Sequence, residues 1–178
     1  MRIIAGAWRG RAIEAPAGTG TRPTSDRTRE GLFSMLVSRI GTFEGLRVAD
    51  LFAGTGALGL EALSRGAAHC TFVEQDRAAI AALNRNIARL GAGDRTDVRA
   101  QAVEHAPPPT PACDVLFMDP PYGSGLAQLA LDRAAGWLAP HGWASLETNG
   151  EALQVPASLE AVVERRFGKA TVTLLRRP

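Results

Sequence analysis

Residues 47–59 read RVADLFAGTGALG, an apolar run that ends in glycines and opens into a helix-forming stretch. A buried strand followed by a tight glycine turn and a helix is the opening unit of a parallel α/β sheet, because parallel strands need a crossover to return to the same edge. Gly54-Thr55-Gly56-Ala57-Leu58-Gly59 satisfies G-x-G-x-x-G, in which glycine allows backbone to approach a ligand closely.

The rest of the chain continues the alternation. The spacing predicts a helix over 57–65, a strand His69-Cys70-Thr71-Phe72-Val73, and a helix over 76–90 with Ile80, Leu83, Ile87 and Leu90 on one face. It further predicts a strand over 97–102, a strand beginning at Cys113, a helix near 126–138, a strand over 142–148, and a terminal strand pair around Phe167-Gly168-Lys169-Ala170. The Pro107-Pro108-Pro109 run is a stiff loop rather than a linker. A doubly wound, mostly parallel sheet closed by an antiparallel hairpin is expected, with strands one and four as neighbours at the switch point.

The glycine loop alone fits a dinucleotide as well as S-adenosylmethionine, and Glu74 is spaced to grip ribose hydroxyls in either case. Asp50, inside the end of the first strand, favours the amino-acid cofactor, whose ammonium gains from a carboxylate where a pyrophosphate would not. The structural alternative for Asp50 is a strand-end residue bonding loop amides.

Asp119-Pro120-Pro121-Tyr122 follows the apolar run Val115 to Met118. This loop has the parts needed to methylate an amino group on a base. An exocyclic amine is a poor nucleophile, and acceptors on its N–H groups help it rehybridise. The Asp119 carboxylate supplies one, and the Pro120 carbonyl can supply another. Both face the charge that grows on nitrogen in the transition state. Tyr122 offers a stacking surface worth about 1–3 kcal/mol for an extruded base. Taken structurally, Asp-Pro-Pro is also an ordinary turn after a buried strand.

Residues 1–45 stand outside the alternation. Ile3-Ile4-Ala5-Gly6 and Arg11-Ala12-Ile13 read as a short hairpin around Trp8 and Arg9. A helix follows, capped by Thr24 or Ser25, with Leu32, Phe33, Leu36, Val37 and Ile40 on its buried face. The chain is expected to divide into this extension and a catalytic unit over 46–178. Net charge is +2, yet residues 1–45 hold seven Arg against four acids, and residues 160–178 hold four Arg and one Lys against two Glu. Basic ends around an acidic middle suit a polyanion. Nineteen Arg against one Lys also reads as compositional bias, with Trp8 a packing residue and the arginines solvated.

No run approaches the ~18 apolar residues of a membrane span, and the amino-terminal stretch is too soon broken for a signal peptide, so a cytoplasmic chain is expected. Cys70 and Cys113 form no C-x-x-C, which favours buried free thiols over a disulfide or metal site.

The combination of MRIIAGAWRGRAI, TRPTSDRTREGLFSML, DLFAGTGALGLEALSRGA, FVEQD and MDPPYG resembles, over nearly the whole length, the RsmD family of bacterial 16S ribosomal RNA guanine-N2 methyltransferases. The resemblance implies a Rossmann-like methyltransferase fold, S-adenosylmethionine as cofactor, and transfer to one guanine of an assembled or assembling 30S particle; a monomer is expected. By position it implies a methionine-end site at Asp50, Phe52, Ala53, Gly54, Thr55 and Gly56, with Glu74 and Gln75 on the ribose. It puts Gln101 and Ala102 by the adenine, Asp119, Pro120, Pro121 and Tyr122 at the guanine, and RNA contacts at Trp8, Arg9, Arg11, Arg22, Arg27 and Arg29. The Arg22-Pro23-Thr24 segment would close over the cofactor side. Gln101 stands where the family commonly has Asp, and its carbonyl oxygen can still accept from the adenine amino group. Amino-methylation of adenine or cytosine, a nicotinamide oxidoreductase and a non-enzymatic assembly factor are the competing readings. The first lacks an insertion large enough for a DNA target-recognition domain.

Overall fold

A computed structural model describes residues 1–16 and 25–178. Its central strands are the apolar runs, and each alternates between two cores. β1 (Arg47–Leu51) and β4 (Cys113–Met118) pair in parallel, with Leu51 opposite Met118. Val48, Val115 and Phe117 face one side of the sheet, and Ala49, Leu51, Leu116 and Met118 face the other. Strands buried on both faces take apolar residues on both, which is why the runs are nearly continuous, with Asp50 the buried exception in β1.

The remaining elements follow in chain order. α1 (Asp26–Ile40) precedes β1; α2 (Ala57–Ser64), β2 (His69–Glu74), α3 (Arg77–Leu90) and β3 (Thr96–Ala100) precede β4; α4 (Leu126–Trp137), β5 (Leu138–Thr148), β6 (Glu160–Phe167) and β7 (Ala170–Arg176) complete the chain. The sheet order is β3-β2-β1-β4-β5-β7-β6, with β7 antiparallel to both β5 and β6. The order reverses between β1 and β4, as expected from the sequence. Leu60, Leu83 and Ile87 of α2 and α3 cover one face, together with Leu32, Phe33 and Leu36 of α1. Ala127, Ala130, Leu131, Ala134 and Trp137 of α4 cover the other.

Three local features differ from the sequence reading. β5 begins at Leu138, four residues before the expected 142, because His141 (φ +66°) and Gly142 bulge between two paired stretches rather than preceding the strand. The amino-terminal hairpin contributes a single bridge, Arg2 to Ala12, because the amides of Ile4 and Ala5 go to the Glu61 carboxylate on α2 (2.8 and 3.0 Å). On α1, Ser25 is the cap, its side chain accepting from Thr28 N–H. Val37 and Ile40 are only half-buried, while Arg29 is fully buried.

Glu61 and Ser64 of α2 hold the amino terminus. Glu61 is buried and also accepts from Arg65 Nε (2.9 Å), and Ser64 Oγ donates to the Ala5 carbonyl while accepting from Trp8 N–H. Asn86 of α3 accepts from Glu14 N–H (2.8 Å) and donates to the carbonyls of Glu14 and Thr55, linking the same segment to the glycine loop. Ile3 and Ile13 lie in the same apolar cluster as Phe33, Val48 and Phe117.

The third glycine of the loop motif has a packing cause. A Cβ at Gly59 would lie 2.3 Å from Phe72 Cε1 and 2.5 Å from Cys70 Sγ, so only glycine lets α2 sit this close to β2. In an open helix Gly→Ala gains about 1 kcal/mol. Here Gly59→Ala should instead lower stability by about 1–3 kcal/mol, read from the urea midpoint, because the collision falls in a packed core. A gain in stability would contradict the contact.

Candidate active site

β1 and β4 release the chain at the same edge of the sheet, so the glycine loop and the Asp119 loop are adjacent. Between them lies a cavity of about 1070 Å³ lined by Asp50, Phe52, Ala53, Gly54, Thr55, Glu74, Gln75 and Gln101 on one side, and by Asp119, Pro120, Pro121 and Tyr122 on the other. Two expected residues do not line it. Gly56 is the left-handed cap of α2 (φ +83°), where a Cβ would lie 2.4 Å from Leu83 Cδ1, and after β3 the wall is formed by Gln101, Val103 and Glu104 without Ala102.

The loop backbone is shaped for a ligand. Gly54 has φ +56°, and a Cβ there would meet nothing within 4 Å, so this stretch of main chain faces open space. Phe52 holds φ +66°, a conformation that costs a bulky residue about 1–3 kcal/mol and is found where surrounding structure over-determines it.

Asp50 lies at the inner end, 1% exposed, and its Oδ2 accepts from Gly59 N–H at 3.0 Å. The bond to a loop amide, anticipated as the structural alternative, is therefore present, and Asp50 also reaches the cavity. Burial pushes its carboxyl up to about 8, opposed by the Gly59 bond and reinforced by the negative charges of Asp119 and Glu74. Glu74 accepts Gly54 N–H on Oε2 (2.8 Å) and both Gln75 and Asp76 N–H on Oε1 (2.8 Å each). An ionised carboxylate has about four acceptor sites, so Glu74 braces the loop and retains one on Oε2 for a ligand hydroxyl.

Tyr122 is half-buried and its hydroxyl donates to Glu147 Oε1 at 3.0 Å. Ser124 Oγ donates to the Pro121 carbonyl (2.6 Å) and fixes the turn. Glu147, near the end of β5, lines the cavity and was not anticipated. The available signal was topological: a carboxylate at the end of the strand beside β4 reaches the same edge as Asp119.

The expected RNA contacts divide. Arg29 is corrected: its side chain is 0% exposed, it donates to the Arg2 carbonyl and to Asp26 Oδ1, and burial is the chief cause lowering its pKa. Its Nε and Nη1 have no partner among the described residues, and helical periodicity places it on the covered side of α1 rather than beside Arg27. Trp8 is half-buried with the Arg95 guanidinium 5.0 Å from its ring centroid, so the packing alternative describes it. Arg9, Arg11 and Arg27 are exposed, with Arg11 donating to the Arg89 carbonyl. Arg22, and the segment expected to close over the cofactor side, lie outside the described residues.

Cys70 and Cys113 are buried free thiols, with burial raising both, Cys113 to about 12. No helix among the described residues is long and apolar enough to cross a membrane, and none of their His, Cys, Asp and Glu side chains form a group that could hold a metal.

A dinucleotide-binding sheet of order 3-2-1-4-5-6 is parallel throughout, whereas this sheet inserts an antiparallel seventh strand beside β5. That order, with the glycine loop and the Asp119 loop on one cavity, defines a methyltransferase of the Rossmann-like class. The chain belongs to the family described as Conserved hypothetical protein 95, whose model matches residues 1–176, in agreement with the RsmD resemblance of its motifs. It is 39% identical to the ribosomal RNA small subunit methyltransferase D of Escherichia coli K12, across 99% of this chain and 90% of that one. The solved structure of the Escherichia coli protein yhhF superposes with a TM-score of 0.87 at 36% identity, covering 99% of this chain and 97% of the other. A Thermus thermophilus 16S ribosomal RNA N2 methyltransferase solved with AdoMet and guanosine shares the fold at 21% identity, with a TM-score of 0.69 over 92% of this chain and 45% of that one.

The raised Asp50 pKa has a stability consequence. Between about pH 4 and 8 the unfolded carboxyl is ionised while the folded one keeps its proton, so stability falls as pH rises through that window, by up to about 1.4 kcal/mol per unit. Asp50→Asn keeps an acceptor for Gly59 and does not titrate. Its stability relative to wild type should therefore grow from pH 5 to pH 8 in urea melts of the two proteins. Parallel pH profiles would refute the shift.

Proposed function

We propose that the chain transfers a methyl group from S-adenosylmethionine to the exocyclic N2 amine of a guanine in small-subunit 16S ribosomal RNA. The substrate is an assembled or assembling 30S particle, and the enzyme acts as a cytoplasmic monomer. The observation that carries this reading is the juxtaposition of the glycine loop with Asp119-Pro120-Pro121-Tyr122 in one cavity, with Tyr122 held by Glu147. The ribosomal RNA named for the 39% identical Escherichia coli relative supports the substrate.

The cavity fits the cofactor on three counts. Its volume exceeds what one drug-sized ligand needs and leaves room for a base. The Gly54 backbone is open to close approach, and Asp50 puts a carboxyl at the inner end, where the ammonium of the methionine part would offset its burial and favour the ionised form. When bound, the cofactor supplies an electrophilic methyl. Glu74, with one acceptor site left, takes a ribose hydroxyl, and Gln101 accepts from the adenine amino group.

The residues of the second loop act on the nucleophile. Tyr122, fixed by its bond to Glu147, stacks the extruded guanine and sets the plane of its amine. Asp119 and the Pro120 carbonyl accept the two N–H groups, turning the nitrogen lone pair toward the methyl. As nitrogen takes the methyl carbon and that carbon's bond to the sulfonium sulfur breaks, positive charge would develop on nitrogen facing the Asp119 carboxylate, which is the place for the proton that nitrogen gives up. Exposed Arg9 and Arg27 provide a basic margin for phosphates.

Asp119→Ala should lower methyl transfer to small subunits by about 10²–10⁴-fold while leaving cofactor affinity nearly unchanged, as measured with radiolabelled cofactor and by calorimetry. Mass mapping of the treated RNA should find N2-methylguanosine. Methylated adenine or cytosine as the product, or full activity in Asp119→Ala, would overturn the proposal.

A further inference from the structure

The hairpin of β6 and β7 ends in a two-residue turn, Gly168-Lys169, with Phe167 paired to Ala170 and Gly168 at φ +62°. Because β7 runs antiparallel to β5, with Thr171 opposite Thr148 and Val172 opposite Glu147, this tip projects at the sheet edge where Asp119 lies. Phe167, Lys169 and Ala170 line the same cavity as Tyr122 and Glu147. The tip is anchored: the Phe167 ring packs on α1 at Gly31, where a Cβ would lie 2.4 Å from ring Cε1.

Three cations sit within five residues here, Arg165, Arg166 and Lys169, all exposed. Arg166 Nε donates to the Gly168 carbonyl (3.0 Å) and braces the turn. Glu164, the nearby acid on β6, accepts from the Thr173 hydroxyl. Arg165 is opposite Val172, whose side chain lies in the cluster under α1, so Arg165 shares a face with Phe167. Lys169 is the one lysine of a chain with nineteen arginines, a compact charge on a flexible stem at the mouth of the cavity.

Charge gives these cations a task. The cavity walls carry the acidic side chains of Glu74, Asp119 and Glu147, a poor setting for the phosphates of a nucleotide whose base enters. The exposed cations at the rim offer those phosphates a better place. We propose that the β6–β7 tip is the phosphate-holding arm of the RNA site, with Lys169 and Arg165 on the backbone phosphates that flank the extruded guanosine. This rests on the RNA methyltransferase reading above.

Lys169 makes the test direct. Wild-type protein is acetylated with an N-hydroxysuccinimide ester, alone, with S-adenosylhomocysteine, and with small subunits from a strain lacking the enzyme; a spiked lysine peptide reports reagent strength. Lys169 should be protected by subunits and not by the cofactor product. In parallel, R165A/K169A should bind subunits about tenfold more weakly at moderate salt, and its log Kd should depend less steeply on log salt, by about 0.7 per lost contact. K169R should restore most of that slope. If wild type methylates subunits while Lys169 reacts equally with and without them and the double variant keeps its affinity and slope, the arm has no role. If wild type neither binds nor methylates subunits, the reading of the enzyme fails and this proposal with it.

Discussion

The register of β1 against β4 is the constraint on which the rest depends. Leu51 and Met118 are the last paired residues, so the backbone leaves the sheet at Phe52 and Asp119 side by side. Two loops far apart in sequence thus become the two walls of one cavity. A one-residue slip would send Leu116 and Met118 to the α1 side and Phe117 to the α4 side, reversing the burial of the whole strand. Apolar packing on both faces therefore fixes the relative position of Asp50 and Asp119. The strained Phe52 backbone is tolerated because strands on either side hold its ends.

Carboxylates do most of the local positioning, and they do it by binding backbone amides. Glu61 holds Ile4 and Ala5, Glu74 holds Gly54, Gln75 and Asp76, and Asp50 holds Gly59. Each satisfies donors that would otherwise be buried or strained in a loop. In this way the amino-terminal segment, the glycine loop and the start of α2 become one rigid framework. The arrangement also brings Asp119 and Glu74 near Asp50, whose carboxyl is raised chiefly by burial and further by their charge.

How much of this was legible in the sequence follows from the range of each signal. Strand and helix periodicity is local, and the order of elements, a cap at Thr24 or Ser25 and the glycine loop could all be read from short windows, while the β1–β4 adjacency followed from the topology rule for doubly wound sheets. The cavity residues between Asp50 and Thr55 and in Asp119-Pro120-Pro121-Tyr122 were legible for the same reason. Glu147 was not, because its significance comes from the neighbour relation of β5 to β4, and a lone Glu in a strand carries no motif. Arg29 was misread for the opposite reason: a charged residue near a helix start looks solvated until the segment covering it is known, and the Arg2 carbonyl that receives it is 27 positions away. The bulge at His141 and Gly142 hid four residues of β5 by interrupting the period-two pattern.

The two ends of the chain now have different parts in the same site. The amino-terminal arginines fall into buried, paired and exposed classes, so counting them overstates the positive charge available to a polyanion. Arg29 serves the fold, Arg11 caps the α3 carbonyl end at Arg89, and Arg9 and Arg27 remain outward. At the carboxyl end the cations are fewer but lie on an antiparallel hairpin that the all-parallel dinucleotide fold does not have. Adding β6 and β7 beyond β5 extends the active edge by two strands and carries Lys169 to the cavity mouth. The antiparallel addition that distinguishes this sheet from a nicotinamide-binding one is therefore also what gives a polyanionic substrate a place to rest beside an acidic cavity.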